Sequence, residues 1–67
     1  MKRNITKADV SRIRGTDGLD VFLRDGVFFV EHFSLATDPT KIVARFGPYA
    51  DRNHAYAALR VYRQLSE

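Results

Sequence analysis

Few residues in this 67-residue chain are of types that do chemistry, and their spacing limits what they can do. There is no Cys, and the two histidines, His32 and His54, stand far apart, so neither a thiolate nor a paired-His metal site is readable. Ser11, Ser34 and Ser66 lie in no nucleophile motif, and no glycine-rich loop leads into a helix to cradle phosphate. Asp20 and Glu31 are spaced to face each other across a hairpin, where paired carboxylates can perturb each other's protonation. The plainer reading is two exposed acids whose repulsion is screened. His32 reads as a partly buried packing residue rather than a ligand. These residues predict a chain that is not an enzyme and holds no metal or cofactor.

Aromatic and basic residues form a stronger pattern. Phe22 and Phe29 fall directly opposite each other, with Val27 and Val43 beside them and Arg24, Lys41 and Arg45 around them. Two Phe rings on the solvent side of a small sheet mark an interaction surface. The patch has three readings. Aromatics interleaved with Arg and Lys stack bases or lie against DNA sugars and thymine methyls, which makes Phe22, Arg24, Phe29, Lys41 and Arg45 nucleic-acid contacts. An apolar centre with a charged rim also describes a protein interface, carried by Phe22, Val27, Phe29 and Val43. Thirdly, the N-terminal segment can fold over this face and make it a second small core. A basic face on the C-terminal helix adds Arg52, Arg60 and Arg63, which fall with Tyr56 within one quadrant at ~100° per residue. Such a face either tracks phosphates or is an ordinary solvated surface.

The elements that must position these residues follow from turn chemistry and periodicity. Asp25-Gly26 between two runs of β-branched and aromatic residues predicts a type I′ hairpin with strands over 19–24 and 27–35. A two-residue turn fixes the register, pairing Arg24 with Val27, Phe22 with Phe29 and Asp20 with Glu31. Val21, Leu23, Phe28 and Val30 then form the core face. Residues 41–46 alternate, with Ile42, Ala44 and Phe46 on one side and Lys41, Val43 and Arg45 on the other; Gly47-Pro48 ends the strand. Asp51 caps a helix over 52–66, whose buried stripe is Ala55, Ala58, Leu59, Tyr62 and Leu65. At the start, Thr6 and Asp9 have the spacing of a capping box, and Gly15 suits a C′ position, so a short helix is expected over 7–14. The competing expectation there is an extra strand over 10–14. Thr16-Asp17-Gly18 reads as a turn. The order α-β-β-β-α gives an α+β fold with a three-stranded antiparallel meander and its helices on one face.

Length allows one domain, residues 1–67, which opens on a basic tail over 1–5. The net charge of +3 is unevenly spread: residues 1–14 carry +4, residues 15–40 carry −4 and residues 41–67 carry +3. Basic ends suit a polyanion partner, provided the acidic middle faces away from it. No apolar run approaches the ~20 residues of a membrane span. Polar residues follow Met1-Lys2-Arg3, so the expectation is a chain with no secretory leader, in a reducing cytoplasmic setting.

The hairpin -LRDGVFFVEHF-, the strand end -ARFGPY- and the helix -AYAALRVYRQL-, within residues 19–65, resemble the sheet-plus-helix module of Apetala-type DNA-binding domains. They are also similar to the arm-type domains at the N-terminus of phage tyrosine integrases. The resemblance implies an Ala-rich helix packed behind the sheet and an outer sheet face that enters the major groove. Phe46-Gly47 would match the strand end, Ala55 and Ala58 the helix packing, and Arg24, Lys41 and Arg45 the outward DNA contacts. The chain has no Trp, which the Apetala-type sheet carries. The element order is similar to that of double-stranded-RNA-binding domains too, but Asp51-Arg52-Asn53-His54 replaces their lysine pair. The resulting expectation is a phage-like or mobile-element-like nucleic-acid-binding protein, for duplex DNA before RNA. The alternative is a protein-binding module or inhibitor, of phage-encoded type, that docks a partner, or a second copy of itself, through the same face.

Overall fold

Asp25 and Gly26 both adopt positive φ, 52° and 80°, as a type I′ turn requires, and this turn sets the rest of the sheet. The computed structural model describes residues 5–67. Its elements are β1 (Asp17–Arg24), β2 (Val27–Ser34), β3 (Lys41–Tyr49) and a single α-helix, α1 (Arg52–Leu65), after a short 3-10 turn at Lys7–Asp9. The strands make one antiparallel sheet in the order β1-β2-β3, and the fold is α+β. The hairpin register is the expected one, from Arg24↔Val27 through Phe22↔Phe29 to Asp20↔Glu31.

The N-terminal helix expected over 7–14 is reduced to that one turn. The Asp9 carboxylate does accept from the Thr6 N–H and hydroxyl, both at 3.0 Å, as the capping spacing predicts. The helix stops there because Val10 is extended (φ −104°, ψ 131°). One turn with one cap is below the length at which helix propagation sustains itself, and β-branched Val10 and Ile13 favour extension. Residues 10–14 do not join the sheet either. The expected basic tail over 1–5 lies outside the described residues except for Ile5.

The helix packs on one face of the sheet. Asp51 caps it, accepting from the Asn53 N–H at 2.6 Å. Ala55, Leu59 and Tyr62 are its buried residues, set against Val30 and His32 of β2. The Tyr62 ring lies 5.5 Å from both His32 and Phe46. Phe28 is half-buried beneath Arg52, whose guanidinium stands 5.5 Å from the ring centre. Leu23 departs from expectation. Beside the turn and uncovered by α1, it is 60% exposed and contributes little to the core.

β1 begins two residues before the expected 19–24, so Asp17 and Gly18 belong to the strand and pair with Ser34 and Phe33. β3 outruns the expected 41–46 and carries Gly47-Pro48 within it. As an edge strand it tolerates a residue with no N–H to donate. Gly47, at φ 136°, takes up the local irregularity. A second irregularity lies between the His32↔Ala44 and Phe33↔Ile42 pairs. This bulge at Val43 corrects the alternation read from sequence: Ile42 falls opposite Phe33, on the side away from α1, and Lys41 falls opposite Ser34.

Candidate functional site

The sheet face away from α1 brings together most of the residues singled out from sequence. Phe22, Phe29 and Phe33 project there from β1 and β2 and are half-buried with no helix above them. Two strand glycines explain this. A Cβ on Gly18 would come within 2.3 Å of the Phe33 ring, and one on Gly47 within 2.8 Å of the Phe29 ring. Each ring therefore lies down on a neighbouring strand's bare backbone. Phe22 meets Phe33 edge-on, 5.9 Å between centroids. The result is a thin aromatic layer, and the described part of the N-terminal segment, residues 5–14, does not cover it. Ser11 instead donates its N–H to the Tyr62 hydroxyl, which places that segment beside α1.

Glu31 sits in the middle of this layer and is only 1% exposed. The expectation of two exposed acids therefore holds for Asp20 alone. Arg24 grips the Glu31 carboxylate with Nε at 3.0 Å and Nη2 at 3.1 Å, and Arg45 donates its Nε at 2.9 Å. The two arginine side chains remain 48% and 47% exposed. Each also lies over a ring, Arg24 at 5.3 Å from Phe22 and Arg45 at 5.7 Å from Phe29. Hydrogen bonding from Arg24, then the charges of Arg24 and Arg45, holds the Glu31 carboxyl below its ordinary range against the opposing effect of burial. The same pair raises Arg24. The outer edges of both guanidiniums, Nη1 of Arg24 and both Nη groups of Arg45, are not engaged by Glu31. They are donors held in a fixed orientation by one buried acceptor.

Of the residues expected to contact nucleic acid, this face unites Phe22, Arg24, Phe29 and Arg45. Lys41 is moved off it by the bulge. Arg52, Arg60 and Arg63 are exposed on α1, across the sheet from the aromatic layer. The nucleic-acid set read from sequence therefore divides between two opposite sides of a molecule 16 Å deep in its shortest dimension. Val43, of the protein-interface set, is 41% exposed and Ile42 42%, which extends the apolar surface beyond Phe33.

A second cluster was not foreseen. His32, buried under α1, bonds Asp17 Oδ2 through Nε2 at 2.7 Å and the Tyr62 hydroxyl through Nδ1 at 2.5 Å. An ionised Asp only accepts, so Nε2 carries the hydrogen and Nδ1 accepts from Tyr62 when the ring is neutral. Asp17 also accepts from the Arg14 N–H at 3.0 Å, and this bond, followed by that to His32, lowers its carboxyl. Burial raises the Tyr62 phenol. Asp-His-hydroxyl order has the look of a nucleophile relay. Here the Tyr62 side chain is wholly enclosed, so a substrate does not reach its oxygen. The cluster ties β1, β2, α1 and the N-terminal segment together. Within the described residues, no three His, Asp or Glu side chains converge as a metal site would need, and no helix is long and apolar enough to cross a membrane. Set against family models, curated proteins and solved structures, the chain matches none of them.

Proposed function

We propose that the protein is a small nucleic-acid-binding module that presents the open face of its sheet to duplex DNA. The observation that carries this reading is the pair of half-exposed guanidiniums, Arg24 and Arg45, held in place by buried Glu31. Oriented donors suit phosphate oxygens and the acceptors on base edges. The major groove is wide enough to admit β-strands. A duplex is favoured over a single strand because the aromatic rings are not free stacking platforms. Arginines cover Phe22 and Phe29, and Phe33 and Phe29 are folded onto glycines. The resemblance of residues 19–65 to Apetala-type and integrase arm-type domains belongs to the same reading, with a phage-like or mobile-element setting and a cytoplasmic location.

A protein interface is the second reading, and a specific observation favours it. Arg24 and Arg45 are matched on their own face by Asp20 and Glu31, so among the described residues the face has no net charge to draw in a polyanion. Its exposed apolar margin at Ile42 and Val43 suits a protein partner or a second copy.

Titration with duplex DNA, duplex RNA and single strands at rising salt separates the two. For duplex DNA binding, replacing both Arg24 and Arg45 with Gln removes most of the affinity and flattens the salt slope by about one unit per lost phosphate contact. Absence of binding to every nucleic acid at about 50 mM salt rejects the reading. For the protein reading, Phe22→Ser with Phe29→Ser abolishes the complex, while the arginine changes mainly alter association rate.

A further inference from the structure

Among the described residues, residues 7–13 and the last turn of α1 border an open groove of about 710 Å³. Val10, Ile13 and Leu65 supply its apolar surface, and Lys7, Arg12 and Arg63 its cations. Glu67 is the one acidic side chain in the lining, and its carbonyl accepts from Lys7 Nζ at 3.3 Å. We propose that this groove binds an acidic peptide that also carries apolar side chains, supplied by a protein partner.

Three observations select that occupant. Lys7 is engaged by Glu67, and the exposed Arg12 and Arg63 still outnumber the one acidic side chain, which calls for an anionic ligand. A nucleic-acid backbone has charge but nothing to set against Val10, Ile13 and Leu65, whereas an acidic peptide with Val or Leu side chains has both. A concave groove also fits a chain better than a flat bilayer. Finally, the wall of the groove has backbone to offer. Ser11 and Arg14 use their N–H groups on Tyr62 and Asp17, but the peptide groups of Arg12 and Ile13 between them have no hydrogen-bond partner among the described residues. Unpaired peptide groups at the wall of a groove are hydrogen-bonding sites for a peptide ligand. The buried Tyr62 hydroxyl, bonded to Ser11, keeps this wall in position.

The site is on the helix layer, away from the aromatic face, and does not rest on the nucleic-acid reading. It is tested on the full chain by following backbone amide resonances during titration with a capped synthetic peptide of alternating Glu and Val. Parallel titrations use the Lys/Val peptide, the Glu/Ser peptide and a short DNA duplex. The Glu/Val peptide should give saturable shifts confined to residues 7–13 and 63–67, and the other three probes should not. Arg12→Glu with Arg63→Glu, both at exposed positions, should weaken binding at least about tenfold with the folded spectrum retained. Ile13→Ser should weaken it by a similar factor. No saturable shift with the Glu/Val peptide overturns the proposal. So does an equal response to the Glu/Ser peptide or to the duplex, which makes the groove a plain polyanion patch. Shifts at these residues that grow with protein concentration alone also overturn it, because the occupant is then a second copy.

Discussion

Glu31 and His32 are neighbours in β2, each 1% exposed, and they leave the strand on opposite faces. His32 is buried by a helix. Its two ring nitrogens are both used, one on Asp17 and one on Tyr62, within a core that also holds Val30, Ala55 and Leu59. Glu31 has no helix over it: it is enclosed within the aromatic layer and held by Arg24 and Arg45, which are themselves about half in water. The first kind of burial is part of the fold, because opening it means lifting α1 from the sheet. The second is shared with solvent, and the outer N–H groups of both arginines can be reached by a ligand without unfolding anything. Adjacent positions thus divide a small domain into a side that holds it together and a side whose charged groups stay open to solvent.

The largest test of this contrast is on the helix side. Tyr62→Ala empties the centre of the core and should cost about 3–5 kcal/mol, a large share of a small domain's stability, as read by urea denaturation. Tyr62→Phe keeps the ring but strips His32 and Ser11 of their partner, and should cost about 1–3 kcal/mol by the same measurement. On the outer side, Glu31→Gln should cost only about 1 kcal/mol or less, because both arginines can rehydrate where they stand. A Glu31→Gln loss as large as that of Tyr62→Phe would erase the distinction between the two kinds of burial.

Acid sharpens the comparison. The Glu31 carboxyl titrates below its unfolded value, so its pairing stabilises the fold above that unfolded value and the contribution is lost as pH falls through the folded one. Asp17 has the same sign. Stability should therefore fall between about pH 5 and the acid limit, and the Glu31→Gln protein should lose less over that interval than the parent. The smallest effect is expected at Lys41. Displaced by the bulge, its change to Gln should alter stability by no more than about 0.5 kcal/mol and leave duplex affinity nearly unchanged.

The hairpin was legible because Asp25-Gly26 permits one turn type, and that turn dictates every pair along β1 and β2. The helix was legible from its Asp51 cap and Ala/Leu/Tyr stripe. The bulge at Val43 was not, since the 41–46 alternation looks regular until the pairing with β2 is known. Gly18 and Gly47 held a signal that was read as punctuation: a glycine inside a strand marks close approach, here by Phe33 and Phe29. Reading Gly18 as turn also hid Asp17, whose contact with His32 depends on β1 starting there. Strand alternation gives the face of Glu31 but not its burial, because alternation sets a side chain's direction and not what folds over it. The thin end of the reading was residues 7–14, where a sound capping pair came with too few residues to carry a helix.

The most direct test is to locate a bound duplex on the molecule by following arginine Nε–H and backbone amide resonances during titration with duplex DNA at low salt. Binding through the outer sheet face predicts saturable shifts at the Nε–H of Arg24 and Arg45 and at the amides of Phe22, Phe29 and Phe33, with Arg52, Arg60 and Arg63 unmoved. Shifts confined to those three helix arginines, or no saturable shift anywhere, would contradict it.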